Sequence, residues 1–253
     1  MGTIISVVNQ KGGVGKTTTA VNLTAALHKR GKKVLLCDFD PQANATSGLG
    51  VDKDKTAASS YDVVINGKPV KEAIVHTGFG DVLASSSHLC GAGVELIAIP
   101  DREFVLRDAL AEVKDDYDVI FIDCPPSLEL LTLNALCAAD AILVPVQCEY
   151  YALEGLADLM TTMRAVKRSL KPDLYLFGVV LTMFDGRTNF SSQVAEEVRR
   201  HFPGKVYATA IPRNVRLAEA PSHGLPVWAY DKYSRGAKAY EDLADEIIEK
   251  EGI

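Results

Sequence analysis

The sequence predicts an α/β fold in which a mostly parallel central sheet is flanked by helices on both faces. Three observations predict it. Short apolar runs recur between stretches of helical spacing. Those runs are continuous rather than alternating, as expected of strands covered on both faces. The first strand-to-helix junction carries a glycine-rich, phosphate-gripping sequence, whose mechanism needs a buried strand before it and a helix N-terminus after it. With 253 residues, 47% of them hydrophobic and 24% charged, the chain can bury a large core without disulfides or metals, and it is read as a single domain, 1–253.

The first strand is residues 3–9 (TIISVVN), a β-branched apolar run. The segment QKGGVGKTTT, residues 10–19, follows it. In the loop G-x-x-x-x-G-K-[ST], backbone N–H groups cradle phosphates, the lysine reaches the β and γ groups and the hydroxyl takes Mg²⁺. Gly15, Lys16 and Thr17 fit its second half, but the first glycine is replaced by Gln10, and Lys11-Gly12-Gly13 stands at the entrance. The loop is a variant with a second lysine. A helix is expected over 18–30, carrying Val21, Leu23, Ala26 and Leu27, and Gly31 stops it.

Further strands are expected at 33–38, 94–99, 118–123, 140–146 and 174–182, with 51–90 as a variable insertion. Ligands in parallel sheets sit beyond the carboxyl ends of strands, so acids that end strands are the candidates. Asp123 ends VIFID, and Asp38 and Asp40 end the second strand in CDFDPQANATSGLG, where Pro41 and the following Asn and Gly residues imply a loop that can move. Cys37, Cys90, Cys124, Cys137 and Cys148 form no C-x-x-C pair, which fits reduced core thiols and a cytoplasmic protein. No run approaches the roughly 18 apolar residues of a membrane helix, and no signal-like leader is expected, since the first residues read as a strand.

Four motifs in order, KGGVGKTT, DFDPQANAT, DVIFIDCPPSL and IPRNVRLAEAPSHGLPV, together resemble the ParA/Soj family of deviant Walker A partition ATPases, over essentially the whole chain. The resemblance implies a P-loop NTPase fold, ATP and Mg²⁺ as cofactors, and ATP hydrolysis. It makes Lys11 the signature lysine, which reaches across an ATP-bound homodimer to the partner's phosphates. It also implies that Lys16 binds the β and γ phosphates and that the N–H groups of Gly12, Gly13, Val14, Gly15, Lys16, Thr17 and Thr18 hold phosphate oxygens. Thr17 and Asp123 then serve the metal, Asp40 positions or deprotonates the attacking water, and Asp38 is a supporting acid. Pro212 and Asn214 match the adenine-side loop. Gly12 and Gly13 leave room for the partner's nucleotide and backbone.

The net charge of −6 argues weakly against nucleic acid as a partner of the whole surface. Yet residues 187–216 hold Arg187, Arg199, Arg200, Lys205, Arg213 and Arg216 against only Glu196 and Glu197. Arg187 and Arg216 match positions through which the family's dimer binds double-stranded DNA without sequence preference, and Arg235 is a weaker addition. By the same likeness a ParB-type protein stimulates hydrolysis, and the protein is nucleoid-associated. The rival is a MinD-like membrane-associated positioning ATPase, which needs a basic amphipathic C-terminal helix. Residues 239–253 carry six acids and one lysine, so no membrane partner is expected, and Leu243, Ile247 and Ile248 read as a helix packed on the domain. The chain begins at the first strand, so the operator-binding extension of longer plasmid relatives and autorepression are not expected. An iron–sulfur reductase on this scaffold would need cysteines bridging a dimer, and a metabolic amidoligase or kinase would need a small-molecule pocket that the sequence does not reveal.

Overall fold

The computed structural model describes residues 2–149 and 152–253. Along the chain run β1 (Thr3–Val7), α1 (Lys16–Lys29), β2 (Val34–Asp38), α2 (Asn44–Gly48), α3 (Ser60–Val64), α4 (Val70–Ala73), β3 (Ile74–Thr77), β4 (Gly80–Leu83), α5 (Leu89–Glu95) and α6 (Val105–Ala111). They are followed by β5 (Val119–Asp123), α7 (Leu130–Ala138), β6 (Ala141–Gln147), α8 (Ala152–Ser169), β7 (Tyr175–Thr182), α9 (Asn189–His201), α10 (Val215–Glu219), α11 (Val227–Tyr230) and α12 (Arg235–Glu251).

The strands form one seven-stranded sheet in the order β3-β4-β2-β5-β1-β6-β7, parallel except for the β3–β4 hairpin at its edge. Every residue of β2 and β5 is buried, which is why their sequences are continuous apolar runs. Alternate side chains feed two cores. Ile5, Val7, Leu36, Phe121 and Leu143 pack with α1, α2, α11 and α12. Ile4, Leu35, Ile122, Ile142 and Val144 pack with α3 and α5 to α9. The sheet is thus covered on both faces, as the sequence predicts.

Register sets the site. Val7 of β1 and Asp38 of β2 are both paired with Asp123 of β5, so three strands end level with one another at their carboxyl ends. The C-terminal segment is the expected packed helix: Ser234 caps α12 by accepting the Ala237 N–H, and Leu243 and Ile247 are fully buried against the α1 side. Among the described residues, no helix is long and apolar enough to cross a membrane.

Two expectations need correction. Residues 94–99 are not a strand: they finish α5 and continue as a single 3₁₀ turn, Leu96–Ala98. Their apolar run does not mark burial, because only Leu96 is inside while Val94 and Ile97 are 75% and 60% exposed. Cys90, expected with the other thiols in the core, instead lies exposed on the same helix. Conversely, the stretch 51–90 is no mere insertion, since it supplies β3 and β4, and β4 extends the sheet in parallel with β2. These strands are four residues each and flank the Gly78-Phe79 turn, too short for periodicity to register.

At the far edge, Gly178 of β7 lies under Tyr207: a Cβ there would sit 2.4 Å from the ring's Cε2. Gly178→Ala is therefore expected to destabilise the fold by about 1–3 kcal/mol through overpacking, read as a lower urea midpoint at unchanged slope.

Candidate functional site

The loop between β1 and α1 is pinned from three directions. Asn9 donates from Nδ2 to the carbonyl of Pro145 in β6, the neighbour of β1 (2.8 Å), and accepts the Lys11 N–H on Oδ1 (3.0 Å). The Thr182 hydroxyl, at the end of β7, donates to the Val14 carbonyl (2.8 Å). Gly13 and Gly15 turn the chain at φ of 75° and 90°, the left-handed region where a side chain is strained. Gly12 has no such conformation, and a Cβ there would meet only Pro126, at 3.9 Å. The loop ends in the unsatisfied N–H groups of α1, a geometry that attracts anions. Thr19 anchors that first turn through a 3.1 Å hydrogen bond with the Tyr240 hydroxyl of α12.

The charges gathered here are buried. Lys16 is 6% exposed and donates to the Lys11 carbonyl (3.3 Å); burial lowers its pKa, opposed by Asp123, Cys124 and Asp40. Asp123 is fully buried, and neither carboxylate oxygen has a hydrogen-bond partner; the Thr17 hydroxyl approaches without closing one. Burial pushes the Asp123 carboxyl well above the usual carboxylate range, and Asp38 and then Asp40 push it the same way. An orphaned buried acid is rare in a native fold and invites a cation.

Asp38 lies beside it and is differently supplied. One oxygen accepts from the Thr46 N–H and hydroxyl, each at 2.7 Å, and the other from the Asp40 N–H at 3.2 Å. Burial still raises it to about 6. Asp40, 7% exposed, takes the Gln42 N–H on Oδ1 (2.9 Å), and its carbonyl accepts the Ser85 hydroxyl (2.7 Å). Ser85 in turn donates its N–H to the Thr46 hydroxyl (2.9 Å). Sequence reasoning missed Asn9, Thr46, Thr182 and Ser85, which position the loop and acids; Ser85 lies just past the unforeseen β4. Among the described residues, no group of three His, Cys, Asp or Glu could hold a metal alone. The donor set of Thr17 and Asp123 therefore suits a hard cation whose other ligands come from water and a phosphate.

Lys11 lies apart from this cluster. Its ammonium is 3.1 Å from Glu149, both side chains being more than a third exposed. Pro212 and Asn214 line a cavity of about 350 Å³ shared with Gly15, Thr18, Ile211 and Leu217, directly beside the loop. Asn214 spends its side-chain oxygen on the Arg216 N–H, capping α10. Beyond Pro212 and Arg213 opens a second, larger depression, about 970 Å³, lined also by Arg187, Arg235 and Lys238. The structure thus brings Arg187 and Arg235 together. It does not place Arg216 in that lining: Arg216 pairs with Glu219 (2.7 Å) and Asp231 (3.3 Å). Cys124 is a core residue, its thiol directed at the Ile122 carbonyl.

Comparison with known proteins agrees with this geometry. A family model described as an AAA domain matches residues 2–176. The chain is 55% identical over 249 residues to the sporulation initiation inhibitor protein Soj of Bacillus subtilis, covering 98% of each chain. It is 50% identical over 253 residues to the chromosome partitioning protein ParA of Myxococcus xanthus, covering 99% of this chain and 89% of that one. Among solved structures it resembles cobyrinic acid a,c-diamide synthase from Mycobacterium smegmatis with bound ADP and magnesium, at 39% identity and a TM-score of 0.84, over 97% and 93% of the two chains.

The acid cluster makes a pH prediction. Folded Asp38 holds its proton to about pH 6, whereas the unfolded chain releases it near its ordinary value of 3.8. The native state then binds more protons across that window, so metal-free stability is highest at its acid end and falls as pH rises from about 4 to about 6. Asp38→Asn removes the titrating carboxyl and is expected to flatten that fall, measured by urea unfolding at stepped pH.

Proposed function

Because the chain belongs to the Soj/ParA family of chromosome-partitioning ATPases, we propose that it is an ATP-driven DNA-partitioning switch. Two copies close face to face on Mg²⁺-ATP, hold double-stranded DNA without sequence preference, and leave it after hydrolysis. The observation that carries this reading is the orphaned Asp123 carboxylate, buried with Lys16 beside Thr17 at the start of α1. The ADP and magnesium of the Mycobacterium smegmatis structure support the same choice of ligand and ion.

In this reading Lys16 and the N–H groups of residues 12–18 bind the triphosphate, and Pro212 and Asn214 border the base in the adjoining cavity. Thr17 and Asp123 hold Mg²⁺, which supplies charge neutralisation at the phosphates. Asp40, with Oδ1 occupied by Gln42, directs its other oxygen to the attacking water and accepts its proton. Lys11 completes the partner's site, where charge spreads over the transferred phosphoryl oxygens. The observed Lys11–Glu149 pair holds that amine on its own chain. A pair so exposed contributes only about 0–1 kcal/mol, so a triphosphate displaces it easily.

Arg187 and Arg235, in one open groove, contact DNA phosphates; Arg216 joins them by leaving Glu219 and Asp231. Such contacts give affinity without base information, and dimerisation doubles them. Pro212 and Arg213 line both the base-side cavity and this groove, a wall through which nucleotide state reaches the DNA surface. A ParB-type protein stimulates hydrolysis, and the cytoplasmic protein associates with the nucleoid. The acidic α12 buries its apolar side on the domain, which disfavours a membrane-seeking role. The partition names belong to relatives at 55% and 50% identity, above the 39% of the amide synthase, and favour a switch over a biosynthetic enzyme.

DNA retention measured with ADP, ATP and a nonhydrolysable analogue tests the switch: retention with the last two alone is expected, and retention indifferent to nucleotide contradicts it. Gly12→Val has room in the monomer, so its nucleotide-free stability should change by less than about 0.5 kcal/mol while ATP-dependent dimers disappear in sedimentation; intact dimers would remove the sandwich. Arg235→Ala should weaken DNA retention and make the salt-dependence slope shallower by roughly one for each phosphate that the guanidinium neutralises, and an unchanged slope would take Arg235 out of the interface.

A further inference from the structure

The end of the sheet opposite the phosphate loop also has a cavity, of about 580 Å³, within the roughly 300–1,000 Å³ range of small-molecule sites. It opens where β2, β4 and β5 begin, between the last turn of α1 and the β3–β4 hairpin. Its floor is apolar: Val34 and Val113 are buried, and Ile74 and Tyr117 half-buried. Its rim carries five basic residues, His28, Lys32, Lys33, Lys71 and His76, against two acids, Asp81 and Asp116.

The acids are already engaged within the wall. Asp81 receives the Tyr117 hydroxyl (2.7 Å) and lies 2.8 Å from His76 Nδ1, while Asp116 pairs with Lys71 at 2.9 Å. The Tyr117 ring is thereby fixed at the floor. Lys32 and Lys33 are different: among the described residues neither ammonium has a carboxylate within ion-pair distance, and Asp118 meets Lys33 only through the backbone N–H. Two adjacent uncompensated cations thus stand over an apolar floor with an anchored aromatic ring. That combination recognises an anion and a flat ring together: the lysines bind the charge and Tyr117 offers a face for stacking. A duplex backbone would use the lysines and leave the floor empty.

We propose that this cavity is a second ligand site, for a small anion bearing a flat ring, of the nucleoside monophosphate class. It is separate from the phosphate loop and needs neither Lys16 nor the partner subunit.

Calorimetric titration of the full-length Lys16→Ala protein with AMP tests it. The expected result is one equivalent of AMP bound, at least tenfold tighter than inorganic phosphate, and weakened at least tenfold by the exposed changes Lys32→Gln and Lys33→Gln together. Wild-type protein saturated with Mg²⁺ and a nonhydrolysable ATP analogue gives the same reading should Lys16→Ala unfold. No heat from AMP, affinity indifferent to the two lysines, phosphate binding as well as AMP, or a short DNA duplex displacing AMP would each overturn the proposal.

Discussion

The buried carboxyl of Asp123, with neither oxygen hydrogen-bonded, is costly to fold around, and the arrangement near it is understandable as its support. A buried polar group with no hydrogen bond costs about 1–3 kcal/mol, and more if charged. Here both oxygens are orphaned, with Asp38 and Asp40 nearby to raise the cost of ionisation. A fold tolerates such an arrangement where a ligand relieves it. Among the described residues, the opposing charge built into the pocket is Lys16, itself disfavoured by burial. In the proposed reading a metal ion and a triphosphate supply the missing balance together, so nucleotide binding and local stability are one equilibrium.

Holding these groups at short range requires stiff surroundings. Parallel register brings the ends of β1, β2 and β5 level, so Asp38 and Asp123 are neighbours by topology rather than by loop conformation. The Asp38–Thr46–Ser85–Asp40 bonds then tie the second strand's loop to the start of the segment after β4. Asn9 and Thr182 fix the phosphate loop from β6 and β7. By contrast, among the described residues, the Lys11 ammonium is held by a half-exposed ion pair. In the proposed reading, the pocket is rigid where a phosphate is gripped and loose where a cation moves.

Much of this is legible in the sequence, for physical reasons. Buried parallel strands read as apolar runs, so five of the six expected strands exist, and an acid ending such a run must stand at the ligand edge. The rest fails where the signal is shared or tertiary. VELIAI has the composition of a strand but turns as a helix whose Val94 and Ile97 face outward. The four-residue strands β3 and β4 are too short to show a period, and the hairpin is held by β2 and α1: Gly80, at φ 120°, leaves no room for a Cβ beside Thr24. Ser85 and Thr182 carry no motif, since their partners lie far along the chain, and Thr46, although it ends DFDPQANAT, meets Asp38 and Ser85 only in the fold. The approach of Arg187 to Arg235 is likewise a product of folding.

The most direct test observes the acid itself. Carbon NMR of isotope-labelled aspartate carboxyls, followed through pH in the metal-free and nucleotide-free protein, should reveal two raised carboxyls, that of Asp38 titrating at about 6 and that of Asp123 well above the ordinary range. The Asp123 signal should be absent from Asp123→Asn and fully ionised once Mg²⁺ and ADP are added. If every aspartate titrates normally without ligand, or the Asp123 signal ignores Mg²⁺ and ADP, this site is not a charge imbalance completed by nucleotide.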